Sequence, residues 1–140
     1  MTRDLTFISN GFDIPAEFAG DNGVTTMKLY FSPTSPYVRK VLATAHELGL
    51  ADRIETLACA ANPVKRDQAI LAHNPLGQVP TLLLDDGGML ADSRVICEYL
   101  NDLASGSLFP KDGAARWRAL TEQAMAVAEQ IKPPEQQLAA

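Results

Sequence analysis

A chain of 140 residues, 46% apolar and 21% charged, has the balance of a soluble globular protein and room for one ordinary domain plus the beginning of a second. Its 17 acidic and 12 basic residues leave a net charge of −5, and the basic residues are scattered, which excludes nucleic acid as the main partner because phosphate neutralisation needs clustered Lys and Arg. No apolar run approaches the roughly 20 residues of a membrane span.

Residues 1–26 lack sustained periodicity, carry one base (Arg3) against four acids (Asp4, Asp13, Glu17, Asp21) and end in the breaker-rich GDNGVTT. They read as a weakly ordered N-terminal extension with neither the apolar core nor the charge of a secretory leader. Met27 then opens a strand directly, which raises the expectation that translation starts there. MKLYF (27–31) has strand propensity and brief alternation. Pro36–Leu48 places Val38, Val41, Leu42, Ala45 and Leu48 on one helical face, and Gly49 stands where a helix stop belongs. RIETLAC (53–59) reads as a second strand, parallel to the first because a crossover helix joins them.

VKRDQAILAH (64–73) reads as a short irregular helix ended by Asn74-Pro75. PTLLLD (80–85) and MLA (89–91) flank an Asp-Gly-Gly turn and form a β-hairpin. A helix from Ser93 to Leu103 follows, with Val95, Ile96, Tyr99, Leu100 and Leu103 as its stripe. The order β-α-β-α-β-β-α is complete by residue 104 and predicts a four-stranded mixed sheet with helices on its faces. Residues 105–113 read as a linker by their Ser, Gly and Pro content, and 114–132 as one strong helix with Trp117, Leu120, Ala124, Val127 (or Ala128) and Ile131 on its apolar face. One helix cannot bury its stripe alone, so 114–140 reads as the start of an incomplete helical domain.

The two cysteines, Cys59 and Cys97, match no disulfide framework or metal spacing and read as small buried hydrophobes in a reducing compartment, the cytoplasm. His46 and His73 read as surface residues, and no metal site or Gly-rich phosphate loop is expected. Ser35-Pro36 is a common helix opening, Ser as N-cap and Pro at the first helical position. In this element order, however, the strand–turn–helix start is where thioredoxin-like proteins hold a reactive sulfur, because free N–H groups and the positive dipole end stabilise a thiolate. A glutaredoxin-like protein would carry Cys-Pro-Tyr-Cys there; this chain has SPYV (35–38), so disulfide exchange at that place is excluded and the site suits a ligand's sulfur. Ser32, Tyr30 and Tyr37 are rival hydroxyls. Val-Pro before a strand (79–80) is ordinary strand-start chemistry, and Asp92-Ser93 fits a helix N-cap.

Taken together, SPTSPYVRKVLATAHELGL, NPLGQVPTLLLDDGGMLADSRVICEYL and RWRAL resemble a soluble glutathione transferase of the Ser type, over residues 27 to about 122. The resemblance implies a thioredoxin-like glutathione-binding domain (27–104) followed by an all-helical domain, here represented by its first helix. It implies glutathione as co-substrate, no prosthetic group, a small electrophile as second substrate, a detoxification role and a homodimer. Ser35 would hydrogen-bond the glutathione thiolate. A cis bond between Val79 and Pro80 would turn the Val79 backbone toward the cysteinyl part of the peptide, with Gln78 near its glycyl end. The Ser93 amide and hydroxyl would take the γ-glutamyl carboxylate and Asp92 its ammonium, although the family more often has Glu at that place. Arg94 reads as an outer carboxylate partner or, more simply, a solvated arginine. The alternatives are a non-catalytic glutathione-binding interaction module on the same fold and a redox protein working through Cys59 or Cys97.

Overall fold

The computed structural model describes residues 26–59 and 67–130, the last three by their backbone alone. The expectations for the N-terminal extension, for residues 60–66 and for Ile131 onward lie outside the described residues.

Strand β1 (Met27–Phe31) leads into helix α1 (Pro36–Glu47), then β2 (Ile54–Ala58), the short helix α2 (Gln68–Leu71), the hairpin β3 (Thr81–Leu83) and β4 (Met89–Ala91), helix α3 (Ser93–Leu103) and helix α4 (Gly113–Gln130). The sheet order is β2-β1-β3-β4, with β1 and β2 parallel and the other two pairings antiparallel. This is the mixed four-stranded, thioredoxin-like arrangement that the order of apolar runs predicts.

Alternation along β1 sorts the helices onto the two faces. Met27 and Leu29 point one way and join Val38, Val41 and Ala45 of α1 and Ile96, Cys97 and Leu100 of α3 in the main core, together with Leu50, Leu82 and Leu90. Tyr30 points the other way, is buried, and donates its phenolic O–H to the Ala69 carbonyl of α2 at 3.3 Å. A central strand covered on both faces needs apolar residues at both parities, and MKLYF supplies them.

Helix α1 is closed at both ends by local chemistry. Ser35 Oγ accepts from Val38 N–H at 3.3 Å, and Pro36 begins the first turn. At the far end Leu50 N–H reaches the Ala45 carbonyl (2.8 Å) and Gly49 N–H the His46 carbonyl (3.1 Å), with Gly49 at φ 69°. That is a Schellman cap, sealed by burial of Leu50. Helix α3 ends the same way, Gly106 N–H reaching Asn101 O (2.7 Å) and Ser105 N–H reaching Asp102 O (3.0 Å). Asn101 Oδ1 then accepts from Leu108 N–H at 2.9 Å, so the Ser/Gly-rich stretch after α3 is a bonded cap before it is a connection.

Several boundaries shift for identifiable reasons. Ala51–Arg53 forms a 3-10 turn, which draws Arg53 out of the second strand. Asp67 accepts from Ala69 N–H at 2.9 Å and so caps α2, which starts only at Gln68. Pro80 has no N–H for the ladder, and β3 begins one residue later. Cys59 is half-buried rather than buried, because it follows an edge strand. Val95, expected on the α3 stripe, is 50% exposed, whereas Cys97, outside that stripe but expected to be buried, lies in the core.

The largest correction concerns α4. Trp117 and Ala124, expected on its inner face, are exposed, Trp117 by 68%; Leu120 and Val127, expected there too, are half-buried and buried, and they are joined by the buried Gln123 and the half-buried Arg116 and Ala119. The helix is turned by one residue step because Arg116 is pinned inward: its guanidinium donates to Glu98 Oε2 of α3 at 2.8 Å and to the Pro110 carbonyl at 3.3 Å.

Candidate functional site

Strand register brings three separated segments to one edge of the sheet. Tyr30 of β1 pairs with Thr81 of β3, and Thr81 pairs with Ala91 of β4. Because β3 is antiparallel to both neighbours, the exit of β1, the entry to β3 and the exit of β4 lie side by side. Ser35 follows the first, Gln78, Val79 and Pro80 precede the second, and Asp92 and Ser93 follow the third. With neighbouring strands about 4.8 Å apart, the three ends span about 10 Å, the reach of an extended tripeptide at about 3.3–3.6 Å per residue.

Ser35 is half-buried at the mouth of α1. Its Oγ accepts from Val38 N–H, and a hydroxyl that accepts one hydrogen bond still has its own proton to donate. Ser32 Oγ lies 3.1 Å from Thr34 Oγ1. Tyr30 has its phenol committed to α2, and Tyr37 is 41% exposed one residue into the helix.

The Val79–Pro80 peptide bond is cis. Pro80 is buried, Val79 half-buried and Gln78 exposed. Behind them the Asn74 side chain, 2% exposed, donates to Thr81 Oγ1 at 2.9 Å and accepts from Leu76 N–H at 3.0 Å, and Gly77 N–H closes onto the Asn74 carbonyl at 2.9 Å. Asn74-Pro75, read from the sequence only as a helix stop, is thus the anchor of the loop that carries residues 76–80. A polar residue between two apolar segments was the one signal available for it.

Ser93 is buried at the first turn of α3, and Asp92 caps that helix by accepting from Arg94 N–H at 2.8 Å. Asp92 adopts φ 74°, a left-handed conformation that Asp tolerates better than most residues. Arg94 does more than hang in solvent. Its Nε reaches Asp92 Oδ1 at 3.3 Å and its Nη2 reaches Oδ2 at 2.8 Å. The hydrogen-bonded Arg94 guanidinium holds the Asp92 carboxyl below the usual carboxylate range, against a smaller opposing effect of burial. Three of roughly four lone-pair positions on this carboxylate are therefore taken by Arg94, and the side chain stays 44% exposed.

Neither thiol is at the start of α1 itself: Cys59 follows β2, where its Sγ donates to the Phe31 carbonyl at the end of β1 at 3.6 Å, and Cys97 lies on α3. Cys97 is fully buried between α1 and α3 and receives the Thr44 O–H at 3.3 Å; burial pushes its thiol up. Cys59 is pushed up too, by burial and then by Asp67. Neither has the depressed pKa of a reactive cysteine. His46 and His73 are exposed, the latter tilted against Tyr30 with ring centroids 6.1 Å apart. Among the described residues no group of three His, Cys, Asp or Glu side chains could hold a metal ion, and no described helix is long and apolar enough to cross a membrane.

This geometry matches known proteins. Residues 34–103, half of the chain, fit the family described as glutathione S-transferase, N-terminal domain. A GST-like protein of Escherichia coli K12, YibF, itself uncharacterised, is 32% identical over 123 residues, which covers 79% of this chain and 58% of that protein. A glutathione transferase family member from Pseudomonas fluorescens Pf-5, solved with bound glutathione, superimposes with a TM-score of 0.71 at 40% identity, over 80% of this chain and 60% of that one. Glutathione S-transferase GstA of Escherichia coli O157:H7 is 29% identical over 96 residues, 67% of this chain and 47% of its own length. The chain thus spans about half to three-fifths of the length of these relatives. By sequence, sheet order and superposition, the chain belongs to the glutathione S-transferase family.

Proposed function

We propose that the chain binds glutathione along the β1–β3–β4 edge and, as a Ser-type transferase, holds the thiol ionised for attack on a small electrophile. The observation that carries this reading is the shared register of Tyr30, Thr81 and Ala91, which sets the three segments in a row. The glutathione carried by the Pseudomonas fluorescens relative supports it. In this reading Ser35 donates its O–H to the thiolate, the Val79 backbone pairs with the cysteinyl unit as an added strand would, and Gln78 lies by the glycyl end. The buried first turn of α3 at Ser93 takes the γ-glutamyl carboxylate on its free N–H groups. Asp92, held in place by Arg94, keeps its negative charge beside the γ-glutamyl ammonium.

The energetics are of the right size. Lowering a thiol pKa by about two units needs about 2.7 kcal/mol of preferential thiolate stabilisation. One hydroxyl hydrogen bond to a charged group supplies about 1.5–3 kcal/mol, and the helix end up to about 1 kcal/mol. Residues 27–104 form the glutathione-binding domain of this proposal and α4 opens the helical domain, which in a homodimer would help wall the second-substrate site. The two free thiols fit a cytoplasmic setting.

Two measurements test the reading. Calorimetry with glutathione on wild type and Ser93→Ala should show binding that weakens about tenfold in the variant, the loss expected for a hydrogen bond to a carboxylate. Thiolate absorbance of bound glutathione should titrate below its free value in wild type and return toward it in Ser35→Ala. Unaltered titration in Ser35→Ala removes the Ser-type assignment, and binding without conjugation of an aryl halide selects a non-catalytic module.

A further inference from the structure

Asn74 and Thr81 are 2% and 0% exposed, where polar side chains persist only when bonded. Thr81 Oγ1 accepts from Asn74 Nδ2 at 2.9 Å and donates to the Gln78 carbonyl at 2.7 Å. Asn74 Nδ2 also approaches that carbonyl, at a weaker 3.5 Å. Two side chains and one carbonyl therefore close a buried triangle, while Asn74 Oδ1 is tied to Leu76 N–H at 3.0 Å.

The Gln78 carbonyl is one half of a peptide unit whose other half is the Val79 N–H. Among the described residues the cis bond is Val79–Pro80, so the Gln78–Val79 unit is trans. A planar trans unit points its C=O and N–H in opposite directions. Holding the carbonyl inward aims the amide outward, and no hydrogen bond among the described residues takes up that amide. The strand that follows starts at Thr81, in register with Tyr30, so the outward amide stands on the edge where the three segments meet.

We infer that Asn74 and Thr81 are positioning residues that aim the Val79 N–H at a carbonyl of the bound peptide. The inference rests on the glutathione reading above and deepens it by naming what orients the central donor. Without the Thr81 hydroxyl, the Gln78 carbonyl loses its shortest bond and the peptide unit is free to swing about its flanking torsions. A ligand then has to order the unit as it binds, which weakens affinity without touching the sulfur.

The test uses the full chain. In the free wild-type protein the Val79 amide should exchange with solvent quickly, and saturating glutathione should protect it. Protection already present in the free protein overturns the orientation. Thr81→Val, close in shape, should raise the glutathione Kd about tenfold, while the thiolate titration at saturating glutathione stays at the wild-type value. Thr81→Ser, which keeps the hydroxyl, should restore the affinity. A Thr81→Val Kd within about twofold of a binding-competent wild type overturns the positioning role and leaves the glutathione reading standing. A wild type that gives no glutathione binding overturns that reading and this inference with it. If Thr81→Val fails to melt cooperatively, Asn74→Ala is held to the same criteria, with the wild-type exchange result deciding should both fail.

Discussion

Helices α3 and α4 have similar apolar content but very different relations to the rest of the chain. Helix α3 buries Ser93, Ile96, Cys97, Leu100 and Asn101, is capped by Asp92 and ends in a Schellman motif. Helix α4 turns Trp117 and Met125 to solvent, 68% and 66% exposed, and buries the polar Gln123. The difference lies in what each helix meets. A sheet face and α1 wait for α3, so its apolar stripe decides its rotation. Around α4 the decisive contact is the Arg116–Glu98 ion pair, both partners about a third exposed, and the stripe yields to it. An apolar face predicts orientation only where there is something apolar to cover it.

The largest test of that contrast is a matched truncation. Leu100→Ala in α3 should lower stability by about 2–5 kcal/mol, read from the denaturant midpoint. Trp117→Ala in α4, despite removing a larger side chain, should change it by less than about 0.5 kcal/mol. A comparable loss at both positions would mean that α4 is covered in solution, by a second copy or another partner.

A mid-sized test concerns Gln123. Its Nε2 and Oε1 are buried with no hydrogen-bond partner among the described residues. Gln123→Met keeps the length and removes the two polar atoms, so it should stabilise the chain by about 1 kcal/mol. Destabilisation would show that the amide is bonded in solution and that α4 is held by polar contacts throughout.

The smallest effect concerns the cap of α3. The folded Asp92 carboxyl titrates below its ordinary value, chiefly through its hydrogen bonds with Arg94. A depressed folded value stabilises the native state above the unfolded carboxyl's pKa, about 3.9, and that stabilisation is lost as pH falls through the folded value. Arg94→Gln should therefore be slightly less stable than wild type at neutral pH, with the two unfolding curves converging in acid. The pair is exposed, which keeps the difference small. A gap that persists in acid would assign the effect to packing.

Local grammar made much of this legible. Ser35-Pro36 and Gly49 bracket α1, Asp-Gly-Gly marks the hairpin, and Met27–Phe31 alternates as a strand; each depends on residues within a few positions. The exact strip of α4 that faces inward was not legible, because it depends on an ion pair between Arg116 and Glu98, 18 positions apart in sequence. Asn74 was visible only as a breaker, since its burial comes from Thr81 and the Gln78 carbonyl. The candidate site sits between these cases. Its segments can be picked out along the chain, but their meeting depends on the pairing of Tyr30, Thr81 and Ala91. The pairing of Asp92 with Arg94 depends on a rotamer that no motif announces.

The start of β1 has a practical consequence. Thr26 N–H donates to Asp85 at the hairpin tip at 2.8 Å, and β1 then runs four steps, about 13 Å at 3.3 Å each, before it reaches the end that Ser35 follows. A purification handle joined directly to Thr26, in a chain trimmed to that residue, would leave from the pole opposite the β1 exit. Anchoring such a trimmed chain to a sensor chip through Thr26 should keep the β1–β3–β4 edge, the proposed glutathione site, turned toward the analyte.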